Sequence, residues 1–242
     1  RQADKYGTPR VCFINKLDRM GGSFEKSFQS ILDKLTLNAV AINIPIGEEE
    51  HLSAIIDLLK MKAIYFEGER GEIVTEKEIP DDYLEKAREW RTKMVEKIAA
   101  EDDVLLDKVL SGKEVTREEL VPVLRKAVLA FRLVPVFCGS ALKNKGTQLI
   151  LDAVIDYLPS PMDIGFVKGT DLKTGAEIER KFDDNAPFAS LVFKVATDPF
   201  VGQLTFFRVY SGTLNKGSYV LNANTGEQER ISRILRMHAD ER

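Results

Sequence analysis

Two short apolar runs, each ending at once in a polar loop, constrain the fold of this chain more than any other feature. The first is Val11-Cys12-Phe13-Ile14, followed by Asn15-Lys16-Leu17-Asp18. The second is Leu133-Val134-Pro135-Val136-Phe137-Cys138, followed by Gly139-Ser140-Ala141-Leu142. Neither carries a helical period; the first reads as a strand buried on both faces and the second as its counterpart. In open α/β sheets, ligands bind in the crevice beyond the carboxyl ends of the strands, which is where both loops would emerge.

The residue types in these loops suit one edge of a guanine base. The Asp18 carboxylate can accept from guanine N1–H and from the exocyclic amino group together, a bidentate charge-assisted pair. Adenine lacks that donor pair, and sites built on hydrogen bonding reject such analogues by roughly 10⁴-fold or more. Lys16 would lay its aliphatic stem over the base plane, Asn15 would tie the loop to neighbouring backbone, and Leu17 is a spacer. The two loops resemble the guanine-reading pair of GTP-binding proteins. That resemblance implies that the Ala141 N–H meets guanine O6, that Ser140 holds Asp18 in position, and that Gly139 lets the backbone come close. Leu142 completes the second loop.

A closer resemblance covers the whole chain. Arg1-Gln2-Ala3-Asp4-Lys5-Tyr6, Asn15 to Gly21, Cys138 to Gly146 and Asp152 to Pro161 are similar to elongation factor G, as is Ala196 to Gly212. Leu142 departs from the pattern, since bacterial relatives often carry Phe there. The resemblance implies an α/β fold: a partial P-loop GTPase-type parallel sheet with an α+β insert, followed by a partial β-barrel. The implied segments are 1–38 and 132–160 for the GTP-binding domain, 39–131 for the insert, 161–186 for a linker and 187–242 for the barrel. It also implies GTP or GDP as ligand, and a ribosome as partner through rRNA and the stalk protein, with tRNA and mRNA moved indirectly.

Composition shows none of those partners. With 35 basic and 38 acidic residues, the net charge of -3 gives no electrostatic sign of RNA or membrane binding. The chain has 242 residues and is 44% hydrophobic, enough for a sizeable core or two smaller ones. Cys12 and Cys138 sit inside apolar runs as small hydrophobes and suit a reducing, cytoplasmic setting. No apolar stretch reaches the roughly 18 residues that a membrane span needs.

In chain order, residues 1–9 begin mid-helix and stop at Gly7-Thr8-Pro9, so the chain reads as an internal fragment. Ser23 is placed to cap a helix whose Phe24, Phe28, Ile31, Leu32 and Leu35 share one face. Val40 to Ile44 and Ala54 to Leu59 read as strands, and Ala63 to Thr75 as a hairpin. Pro80 opens a long helix with Tyr83, Ala87, Trp90, Met94 and Ile98 expected against the inserted sheet. Its charged face (Glu85, Lys86, Glu89, Lys93) either meets the stalk protein, as the resemblance implies, or is simply solvated. A short helix spans about Val104 to Leu110. Thr116 to Glu119 is a capping box, and Pro122 predicts a kink or a later helix start. Thr147 to Leu158 reads as a helix with Leu149, Ile150, Val154 and Tyr157 or Leu158 inward. Strands are then expected at Phe166 to Lys168, Phe188 to Val195, Gln203 to Tyr210, Tyr219 to Asn222 and Glu229 to Leu235. A barrel left open there predicts self-association or disorder beyond Asp184.

The phosphate cradle Gly-x4-Gly-Lys-Ser/Thr occurs nowhere in these residues. Asp18 to Gly21 matches a γ-phosphate switch in letters only, because Asp18 is committed to the base. No residue is assigned a catalytic or metal role, and His51 and His238 read as surface or packing residues. Mg²⁺ ligands and the water-orienting group would lie upstream. The expected function is therefore the base-recognition part of a GTP-hydrolysing translocation factor, itself inactive when isolated. The competing readings are a recycling, release-factor or ribosome-protection relative, and a non-enzymatic interaction module.

Overall fold

The computed structural model describes residues 2–198 and 202–236. His238 and the Pro199 to Val201 part of the last resemblance motif lie outside the described residues. The chain divides into two compact units, Arg1–Pro159 and Ser160–Arg242.

The first unit opens with a helical turn, α1 (Gln2–Lys5), then β1 (Cys12–Ile14) and α2 (Phe24–Lys34). Next come β2 (Ala39–Ala41), β3 (Asn43–Ile46), β4 (Ala54–Asp57), β5 (Lys62–Glu67) and β6 (Ile73–Lys77). Helices α3 (Asp81–Ala99), α4 (Asp103–Leu110) and α5 (Arg117–Leu129) precede β7 (Val134–Cys138) and α6 (Thr147–Tyr157). Two sheets result. Strands β1, β7 and β2 form a parallel sheet in that order, with Ile14 beside Cys138 and Ala41 beside Val136. Strands β3 to β6 form an antiparallel sheet in sequence order.

The apolar run Val40 to Ile44, expected as one strand, breaks at Ile42 and serves both sheets. Its first part pairs with β7 and its second with β4. Asn43 is the polar residue at the switch: it is buried, and its Oδ1 accepts from the Cys138 N–H at 2.9 Å. The side chain thus continues the pairing that the backbone has left. Burial on both faces holds for β7, all of whose residues are buried. It does not hold for β1, where Cys12 and Phe13 are only half-buried, because β1 is at the edge of the described sheet.

Several local expectations change for identifiable reasons. Ser23 stands at the N-cap of α2 but its side chain makes no capping bond. The Phe24 N–H donates instead to the Glu48 carboxylate at 3.0 Å, a charged acceptor at the positive end of the helix. Leu35 lies past the last turn of α2 and is exposed. On α3, Ala87, Met94 and Ile98 are buried, whereas Trp90, expected against the β3–β6 sheet, packs on α2. Its ring meets Phe24 and Phe28 edge-on, with centroids 5.3 and 5.2 Å away. Helix α5 starts at Arg117 despite Pro122, so its start is not delayed. The Glu119 carboxylate accepting the Thr116 N–H at 2.9 Å and the burial of Leu120, Leu124, Ala127 and Val128 outweigh one missing donor. On α6, Ala153 and Tyr157 are buried and Leu149, Ile150 and Leu158 pack partly buried against the core, whereas Val154 faces solvent.

The second unit contains α7 (Pro161–Ile164), β8 (Phe166–Thr170), β9 (Glu177–Lys181), β10 (Ala189–Asp198), β11 (Gly202–Ser211), β12 (Tyr219–Leu221) and β13 (Gln228–Arg230). The stretch expected as a linker thus forms a helical turn and a hairpin, β8 with β9. Long strands β10 and β11 pair antiparallel, as do the short β12 and β13. The last strand is shorter than its sequence suggests. Among the described residues no helix is long and apolar enough to cross a membrane.

Candidate functional site

Adjacent parallel strands put the two polar loops side by side. The Gly139 N–H donates to Ile14 O at 3.0 Å and the Leu17 N–H to Gly139 O at 3.2 Å, so the β1–β7 ladder runs on into the loops. Leu17 is buried and anchors the first loop from below, which leaves Asn15 and Lys16 exposed and Asp18 half-buried. Lys16 holds a left-handed φ of 66°, uncommon for a residue with a side chain and a mark of local strain.

The second loop is a tight turn. Ser140 and Lys145 exchange backbone hydrogen bonds of 2.9 Å each way, closing the segment between them. Glycine is required at 139, because a Cβ there would lie 2.1 Å from Lys145 O. Ser140 is buried, while Ala141 and Leu142 are exposed, Leu142 at 79%.

Two side-chain contacts bind the loops to each other. Asn15 Oδ1 accepts from the Ala141 N–H at 2.9 Å and from the Lys16 N–H at 2.8 Å. The Ser140 hydroxyl meets the Asp18 carboxylate, and this bond is the main reason that Asp18 is held below the usual carboxylate range, with Lys143 and Arg19 adding charge. Asp18 is therefore an ionised acceptor at neutral pH. The Ala141 N–H, which the resemblance assigns to guanine O6, donates here to Asn15 Oδ1. Burial pushes the Cys12 and Cys138 thiols up, so neither is a ready nucleophile. Among the described residues no group of His, Cys, Asp and Glu could hold a metal ion. His51 is exposed beside Glu50.

Residues outside both motifs also support the loops. The Gly21 N–H donates to Glu49 Oε1 at 2.7 Å, and the Glu49 N–H to Leu17 O at 2.8 Å. Asn144 Nδ2 donates to Arg70 O at 2.9 Å, and Gln148 Nε2 to Gly71 O at 3.1 Å. No periodicity marks these residues. Gly21 and Asn144 lie in the resemblance segments and Asn43 is a polar residue inside an apolar run, whereas Glu49 and Gln148 carried no signal in the sequence.

A parallel α/β sheet that presents two joined polar loops at the carboxyl ends of neighbouring strands defines a nucleotide-binding class of domain. Residues 1–160 match the elongation factor Tu GTP binding domain, and residues 202–242 match elongation factor Tu domain 2. The chain belongs to the elongation factor Tu GTP-binding domain family. A crystal structure of a protein from Thermus thermophilus is similar at a TM-score of 0.73 and 29% identity, over 95% of this chain. This chain spans 31% of that one.

Proposed function

We propose that this chain carries the guanine-recognition loops of a ribosomal translocation GTPase of the elongation factor G type. The observation that carries the reading is the joining of the two loops, Asn15 to the Ala141 amide and Ser140 to Asp18. In this reading Asp18 accepts from N1–H and the amino group of the base, and Lys16 covers its face. When a base enters, the Ala141 N–H turns from Asn15 Oδ1 to O6, so Asn15 acts as a place-holder for the ligand's acceptor. The phosphate cradle, the Mg²⁺ ligands and the hydrolytic machinery would come from other parts of a longer protein, as would the contacts that move tRNA and mRNA. The ribosome, through rRNA and the stalk protein, is the proposed partner of that protein, and the cytoplasm its place.

In the full-length protein, Asp18→Asn should turn preference from guanine towards xanthine nucleotides, which present an acceptor where guanine presents its amino donor. Competition between GDP and xanthosine diphosphate measures this, and an unchanged preference would remove Asp18 from the role. For the isolated chain, calorimetry should show weak GDP binding or none. Tight Mg²⁺-dependent binding would contradict the division of labour.

A further inference from the structure

The antiparallel sheet of the insert reaches back to both loops from one of its ends. The β3–β4 turn and the β5–β6 turn share that end, because Ile46 pairs with Ala54 and Ala54 with Tyr65. The β3–β4 turn is sharply closed: a Cβ on Gly47 would lie 2.0 Å from His51 O, and Glu49 has a φ of 55°. It grips the first loop through the Glu49 N–H to Leu17 O and Glu49 Oε1 from the Gly21 N–H, and the start of α2 through Glu48 Oε1 from the Phe24 N–H. Lys145 of the second loop donates to Leu52 O at the end of the same turn. The β5–β6 turn grips the second loop through Asn144 Nδ2, which donates to Arg70 O and Gly71 O, and the first turn of α6 through Gln148 Nε2, which donates to Gly71 O. It sits so close that a Cβ on Gly71 would be 3.0 Å from Lys143 O.

We propose that this end of the inserted sheet is a clamp that sets the spacing of the two base loops, with Glu49 and Gln148 as positioning residues. The inference rests on the guanine reading above and deepens it. The clamp touches loop backbone and side chains beyond the base-reading set, so it governs how long a nucleotide stays and not which base is chosen. By reciprocity, whatever displaces the insert also loosens the nucleotide.

The test is release of a fluorescent GDP from the full-length protein, with guanine-over-xanthine preference measured alongside. Glu49→Ala should speed release by about tenfold, the weight of roughly one charge-assisted hydrogen bond. Glu49→Gln keeps an acceptor for the Gly21 N–H and should stay within roughly twofold of the parent. Gln148→Ala, at the other turn, should speed release several-fold and carries the test if Glu49→Ala does not fold. Preference for guanine should be unchanged in all three. Parent-like release from folded Glu49→Ala and Gln148→Ala, with Asp18→Asn still shifting preference, overturns the clamp alone. If Asp18→Asn shifts nothing, the base-site reading falls and the clamp with it.

Discussion

At the scale of single residues, Asp18 shows how a neighbouring hydroxyl keeps a loop carboxylate ionised. Its titration is depressed first by the Ser140 hydroxyl, so the acceptor form is fully present above the ordinary carboxylate range and is lost only as pH falls through the lowered value. GDP affinity of the full-length protein should therefore be flat, on Asp18's account, from about pH 8 down to about pH 5. Calorimetry over that range checks it, and a fall beginning near neutrality would contradict it. Ser140→Ala should move the titration up towards the normal value and weaken GDP by about tenfold. Gly139→Ala meets a different obstacle, since its Cβ would collide with Lys145 O. It should cost about 1–3 kcal/mol in urea denaturation and loosen the loop together with the fold.

At the scale of elements, the N-terminus of α2 separates what local sequence suggests from what the fold uses. Ser23→Ala should be nearly neutral, because no capping bond is lost. Glu48→Ala should cost about 1 kcal/mol, since it removes the acceptor for the Phe24 N–H. Thermal unfolding of the pair decides, and the reverse order would refute the assignment. Trp90 joins α3 to α2 through Phe24 and Phe28. Trp90→Ala should lower stability by about 3 kcal/mol, combining lost burial with lost edge-on ring contacts. Lys93, paired with Glu89 and lying 5.3 Å above the Trp90 ring, is a surface contributor of small effect.

At the scale of the whole molecule, the two units differ in how they dispose of apolar surface. The first buries its large side chains in one contiguous core. In the second, Leu191, Val192, Phe193 and Val195 of β10 are all exposed, on both faces of a two-stranded sheet. Such strands are adhesive. The chain as given should elute with a mass above that of a monomer in light scattering, and Leu191→Lys with Phe193→Lys should reduce it. A monodisperse monomer without those changes would refute the expectation.

The sequence by itself determined the sites of the two loops and the kinds of element around them, because short apolar runs, Gly punctuation and helical periods are local properties. The capping acids of α5, the hairpin of β5 with β6 and the length of α3 were legible for the same reason. The tertiary structure alone decided what depends on neighbours distant along the chain. It split Val40 to Ile44 between two sheets, gave the cap of α2 to Glu48, turned Trp90 towards α2 and set the turns of the antiparallel sheet against both loops. Each of those outcomes satisfies a backbone donor or an apolar face with a partner many residues away, and no window of local sequence contains both halves of such a bond.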